Sequence, residues 1–148
     1  MFLAASEPIH ADDTYGTLAA RLQVLASDLL IRTLDDRPEP VEQPEEGVTY
    51  ADKIGAEDRT LDPTATALVN ERVVRALTPH IGARVQLADR SWLGVLRAAL
   101  AVPEATGELR AEDGRLLLGG LELLEVQPAG GRAMDAAAYL RGHGLPSG

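Results

Sequence analysis

The 148-residue sequence contains no cysteine. Disulfides and thiolate metal sites are therefore excluded. Aromatic residues make up 3% of the chain against 45% hydrophobic residues, so a core has to be built from Leu, Val and Ala. Lysine occurs once, at Lys53, and the three histidines, His10, His80 and His143, stand far apart in unlike contexts. That scatter leaves no credible metal cluster. No apolar run reaches the ~18 residues that suggest a membrane-spanning helix. The opening residues also lack the basic stretch of a secretory signal. These absences point to a soluble, cytoplasmic protein with no membrane and no metal among its partners. The length suits one domain, or one domain with an appendage.

Charge is unevenly placed. The net charge is −9, and residues 1–68 hold 5 Lys+Arg and 14 Asp+Glu. Residues 69–148 hold nine of each, and every cation there is Arg. A phosphate-binding role spread over the whole chain is disfavoured by that field, while a local arginine-lined face on the second part stays open.

In chain order, Phe2 to Ala5 reads as a short strand that needs a pairing partner. Asp12, Asp13 and Thr14 offer helix-capping chemistry. Leu18, Leu22, Leu25 and Leu29, widened by Leu30 and Leu34, then mark one face of a helix that Pro38 stops. Such a face predicts a helix packed against a body. Residues 38–47 carry three Pro and four Glu, the composition of a stiff, solvated linker. A short ordered stretch is expected over Val48–Ile54. Asp62-Pro63 reads as a helix start, continued by apolar residues to Leu77. From Ala83 the period becomes strand-like. Five strands are expected: Arg84–Leu87, Trp92–Val102 with a bulge or bend at Gly94, Glu108–Ala111, Leu116–Leu118 and Leu121–Gln127. Asp135 would cap a short last helix ended by Gly142 and Gly144. Five short strands with tight turns favour a small closed barrel over a sandwich.

The sequence carries no nucleophile elbow, phosphate-binding loop or metalloprotease helix. The adjacent pairs Asp12-Asp13, Asp35-Asp36 and Glu45-Glu46 are solvated charges, since sequence neighbours point apart. Gly119-Gly120 and Gly130-Gly131 read as turns. The residues by themselves therefore argue against a self-contained enzyme. The stretch Leu121–Met134 stands out, because a buried strand ending at Pro128 hands a glycine loop with one cation, Arg132, to the last helix. Such a loop can reach a large anionic partner.

Five stretches in order carry a resemblance: PIHADDTYGTLAARL (Pro8–Leu22), EEGVTYADKI (Glu45–Ile54), Leu61-Asp62, ALTPHIGA (Ala76–Ala83) and LLEVQPAGGRAM (Leu123–Met134). Together they resemble the C-terminal portion of the methionyl-tRNA formyltransferase family. That family transfers a formyl group from 10-formyltetrahydrofolate to initiator methionyl-tRNA. The resemblance implies an α+β chain: a strand–helix remnant of a Rossmann-like catalytic domain over residues 1–37, a linker over 38–60, and an OB-like antiparallel barrel with a preceding and a terminal helix over 61–148. It also implies that the family's catalytic Asn, His and Asp lie upstream of Met1. No catalytic or cofactor-binding residue then falls in this chain, and the folate donor belongs to the absent domain. The implied role is to hold tRNA, with Arg132, Arg72, Arg75 and Lys53 as candidate phosphate contacts. The chain departs from the family at Gly131, where a lysine is usual, at Thr78-Pro79, where Asn-Pro is common, and at Asp62-Pro63, where Asp-Trp is common. Two other readings remain: a diverged structural or interaction module that no longer binds RNA, and a piece of a sugar N-formyltransferase, against which TYADKI argues.

Overall fold

A computed structural model describes residues 1–143; Gly144, expected to help end the last helix, lies outside them. The chain divides into two compact units, Met1–Lys53 and Ile54–Gly148.

The first unit is built on helix α1 (Tyr15–Asp36). Thr14 caps it by accepting from the Thr17 backbone N–H, while the Thr17 hydroxyl accepts from the Thr14 N–H. Two otherwise unpaired groups are thereby satisfied at once. Just before the cap, Arg21 gathers the preceding segment. Its guanidinium donates to both Asp13 carboxylate oxygens, to Glu7 and to the Pro8 carbonyl. The C-terminal cap is Arg37, in the left-handed region at φ 45, immediately before Pro38.

The expected strand at Phe2–Ala5 does not form, because residues 1–9 lack a neighbour that offers a hydrogen-bonding edge. Among the described residues, only Met1 of this stretch exchanges a pair of backbone hydrogen bonds, with Val41. The packed helix face is likewise absent within this unit, since α1 has no buried residue. Leu18, Leu25 and Leu29 are half-buried, and Leu22, Leu30 and Leu34 are exposed. No second helix or sheet in the unit supplies a facing surface. Val48–Ile54 forms neither helix nor strand, and all of its residues are exposed, Tyr50 at 91%.

The second unit holds α2 (Ala67–Leu77), β1 (Ala83–Gln86), β2 (Trp92–Leu100), β3 (Leu109–Glu112), β4 (Arg115–Leu118), β5 (Leu121–Pro128), β6 (Met134–Asp135) and α3 (Ala136–His143). The strands pair antiparallel in the order β1-β2-β5-β4-β3, and β6 adds to β5. This is the α+β, OB-like architecture expected: a half-barrel with one helix before it and one after.

Alternation sets which face is buried. On β1 and β2, Ala83, Val85, Leu93 and Val95 point inward and are at most 3% exposed, while Arg84, Gln86 and Trp92 point out. Leu116, Leu118, Leu121, Leu123 and Val126 complete the core from β4 and β5. Each such side chain contributes about 1.5–3 kcal/mol through burial. The bulge in β2 falls between Val95 and Ala98, just past Gly94. Gly94 instead pairs regularly with Gln127, and a Cβ there would sit 3.3 Å from the Gln127 carbonyl oxygen. Its bareness lets β5 approach closely.

Helix α2 begins at Ala67, later than Asp62-Pro63 suggests. Asp62 turns its carboxylate onto the Thr64 N–H and hydroxyl, and Thr66 caps the helix instead. The first helical N–H groups, on Ala67 and Leu68, donate to the carbonyls of Ala105 and Pro103 in the β2–β3 loop. Buried Asn70 accepts from the Asp62 N–H at 3.0 Å and donates to its carbonyl at 2.8 Å, clamping the lead-in segment. The tight Gly119-Gly120 turn abuts that same loop; a Cβ on Gly119 would lie 2.7 Å from the Thr106 carbonyl carbon.

Candidate nucleic-acid interface

The loop between β5 and β6 is built by its own sequence. Pro128 ends the ladder of β5. The chain reverses through Ala129 and Gly130, whose φ of 71 suits glycine. The Gly131 N–H donates to the Pro128 carbonyl at 2.9 Å, and the Gln127 side-chain amide donates to the Gly131 carbonyl at 2.9 Å. These bonds fix the turn, so Arg132 stands exposed on a braced loop. Met134 and Asp135 then return to pair with Val126 and Glu125. This short β6 has no alternation to announce it in the sequence. Asp135 directly precedes α3 but makes no capping hydrogen bond among the described residues, because it is still held in the ladder.

The predicted cations fall in unlike settings. Arg72 is exposed on α2 and forms no ion pair among the described residues. Arg75, one turn on, is half-buried, and its Nε lies 2.6 Å from Glu71 Oε1. Its charge is therefore partly neutralised where it stands. Lys53 is exposed at the end of the first unit, in irregular chain. Arg132 sits in its loop, and no described contact links it to the α2 arginines.

Elsewhere on the barrel arginine is mostly paired. Arg97 faces Glu125 at 3.8 Å, Arg110 faces Glu112 at 3.2 Å, and Arg115 binds Glu122. The Arg115 hydrogen bond holds the Glu122 carboxyl below its ordinary range. Arg84 lies over the Trp92 ring, 3.9 Å from its centroid, and reaches Thr60 and the Ala56 carbonyl. Arg90, in the β1–β2 turn at φ 67, and Arg141, on α3, are exposed and form no ion pair among the described residues. Sequence reasoning passed over both. The only signal for Arg90 was its place inside the Asp89-Arg90-Ser91 turn, where the neighbouring Asp89 carboxylate accepts from Ser91 and forms no ion pair with it.

Convergent catalytic groups are absent among the described residues. A cleft of about 490 Å³ is lined by Leu61, Pro63, Val85, Leu87 and their neighbours with Glu108 as its one ionisable group. No cluster of three metal-ligating side chains occurs among the described residues, and no helix there is long and apolar enough to cross a membrane. Asp13, the most perturbed carboxyl, is held far below its ordinary range first by the Arg21 hydrogen bond and then by the His10 N–H. It is a structural staple in the first unit.

The fold and its side chains thus define a class: an α+β, OB-like domain with exposed loop cations. No family model matches the chain. Among curated proteins it is similar to the methionyl-tRNA formyltransferase of Halorhodospira halophila, at 39% identity over 100% of this chain and 51% of that protein. The enzyme of Gluconobacter oxydans is 34% identical over 100% of this chain and 50% of its own length. That of Thermobifida fusca is 39% identical over 97% of this chain and 49% of its own length. The chain spans about half the length of the curated relatives it matches, and it corresponds to the C-terminal part of methionyl-tRNA formyltransferase.

Proposed function

We propose that the chain is the tRNA-holding part of a methionyl-tRNA formyltransferase acting at the start of translation, in the cytoplasm. Formyl transfer from 10-formyltetrahydrofolate to initiator methionyl-tRNA then belongs to the other half of the enzyme, which also binds the folate. This chain holds the tRNA and does no chemistry alone. The observation that carries the reading is the match at 34–39% identity to half of several such enzymes. The braced, exposed Arg132 loop supports it, since an unpaired guanidinium on a rigid turn suits a phosphate. Arg72 is the next contact on this reading. Arg75 and Lys53 are secondary, because Arg75 shares its charge with Glu71 and Lys53 lies outside any helix or strand.

Electrophoretic mobility shift with initiator tRNA at low salt tests the proposal. A retarded complex is expected. Arg132→Ala is expected to weaken it and to reduce its salt-dependence slope by about 1. No complex at high protein concentration would refute the reading. A second reading, a diverged interaction module without RNA binding, draws on the net charge of −9 and on the arginines already paired to carboxylates. It predicts that adding this chain in trans gives a separate catalytic domain no gain in formylation.

A further inference from the structure

At one end of the barrel, the β1–β2 turn, the start of the β5–β6 loop and helix α3 enclose a second cavity of about 390 Å³. Leu87, Leu93, Pro128 and Ala129 give it apolar walls. Trp92 contributes its half-buried indole, and Tyr139 and His143 contribute a stacked pair with ring centroids 4.8 Å apart and planes 11° from parallel. Asp89 and Ser91 supply the polar edge. Asp89 Oδ1 accepts from both the Ser91 N–H and its hydroxyl, which fixes the carboxylate in place and leaves Oδ2 without a described partner. Those bonds hold Asp89 below its ordinary range, so it is an acceptor at neutral pH.

The lining selects the occupant. It contains no Lys or Arg and one carboxylate, so a phosphate is repelled. A flat, uncharged ring with an N–H donor on its edge fits aromatic walls and a fixed acceptor. Cations are close in sequence to the lining: Arg90 in the turn that supplies Asp89 and Ser91, and Arg132 three residues beyond Ala129. Aromatic walls flanked by backbone-reaching cations are the recurring design for single-stranded nucleic acid. The volume lies at the small end of ligand pockets.

We propose that this cavity receives one unpaired nucleobase of a single-stranded RNA segment, stacked against Trp92 and His143, with Arg90 and Arg132 facing the adjoining phosphates. The partner rests on the tRNA-holding reading; the site does not, and the two are tested apart. Trp92 is the chain's one tryptophan, so its fluorescence reports this wall of the cavity. The full chain is titrated with initiator tRNA and with a single-stranded tetra-adenylate, whose N6 amino groups can donate to Asp89. Both are expected to quench Trp92. His143→Ala, an exposed change at the end of α3, is expected to weaken tetra-adenylate quenching about tenfold. Quenching by both ligands with that loss supports the site. A tRNA mobility shift with Trp92 unchanged overturns the cavity and leaves tRNA holding intact. Quenching by tetra-adenylate without a tRNA shift keeps the cavity and overturns tRNA holding. Quenching untouched by His143→Ala overturns the stacking assignment.

Discussion

Gly131→Lys places a second cation in the loop, where the family resemblance leads one to expect a lysine, and the local geometry sets what it should do. Gly131 lies outside the left-handed region, so an L residue meets no backbone penalty there. A Cβ would sit 3.3 Å from the Pro128 carbonyl oxygen and 3.4 Å from its Cβ. The turn must give by a few tenths of an ångström, a surface adjustment within about 0.5 kcal/mol. Losing a glycine from the unfolded chain returns about 0.4–1 kcal/mol. Fold stability should therefore change little. The added ammonium stands beside Arg132 on the same braced loop. One extra phosphate contact steepens the salt slope by about 0.9, so raising salt fourfold should weaken binding about 3.5-fold more than in the parent chain. Mobility shifts with initiator tRNA at 50 and 200 mM salt, roughly the range over which phosphate contacts show most clearly, measure it. Gly130→Ala is the structural control: at φ 71 it should cost about 1–2 kcal/mol. A folded Gly131→Lys chain with an unchanged slope would refute the loop as a tRNA contact.

Asn70→Ala should destabilise the second unit by about 1–3 kcal/mol, because both Asp62 backbone groups lose their buried partner; Asn70→Asp should not restore it, since the donor to the Asp62 carbonyl is gone. Urea unfolding followed by circular dichroism measures both. Leu123→Ala, 1% exposed on the central strand, should lose about 2–5 kcal/mol in the same assay. Asp13 makes the N-terminal staple acid-sensitive. Its folded-state pKa is depressed by Arg21 and His10, so its contribution is fully present above the ordinary carboxylate value of about 4 and fades as pH falls towards the lower folded value. The His10 amide proton, which donates to Asp13, should hold its shift as pH falls through the ordinary carboxylate range and move upfield only below it, and Asp13→Asn should abolish that change; an amide that titrates at the ordinary carboxylate value of about 4 would refute the staple.

Much of the fold is written in periodicity. Strands β1, β2 and β5 follow from alternation, because one face of each meets a core of Leu and Val, whereas β4 reads as a short apolar run whose Leu116, Leu117 and Leu118 are all buried. Errors cluster where tertiary partners decide. Asp62-Pro63 looks like a helix start, but Asp62 has a nearer partner in Thr64, and the β2–β3 loop carbonyls wait at Ala67 and Leu68 to receive the first helical N–H groups. Phe2–Ala5 has strand composition but no edge to join. The bulge misplaced onto Gly94 belongs beside it, because a bare position can mark close approach of a neighbouring strand as well as an irregular one.

The candidate site was legible only in outline, for an electrostatic reason. Residue counts show nine arginines balancing nine carboxylates over residues 69–148, but not which of them meet. Glu71, Glu112, Glu122 and Glu125 each face an arginine, and exposed pairs of this kind, worth about 0–1 kcal/mol in stability, still remove both charges from the outward field. Arg84 is half-buried over the Trp92 ring, which leaves Arg72, Arg90, Arg132 and Arg141 as the arginines of this stretch that are both exposed and without an ion pair among the described residues. At about 0.9 per phosphate contact, four such arginines allow a salt slope of at most about 3.6, far shallower than a basic binder that makes 6–10 contacts. Long-range attraction is also weak, because the net charge is negative. Affinity for RNA on this surface must therefore come largely from short-range contact, which places the weight on loops that hold a guanidinium still and on rings that can meet a base. A measured slope well above 4 would mean that the paired arginines exchange their carboxylates for phosphates on binding.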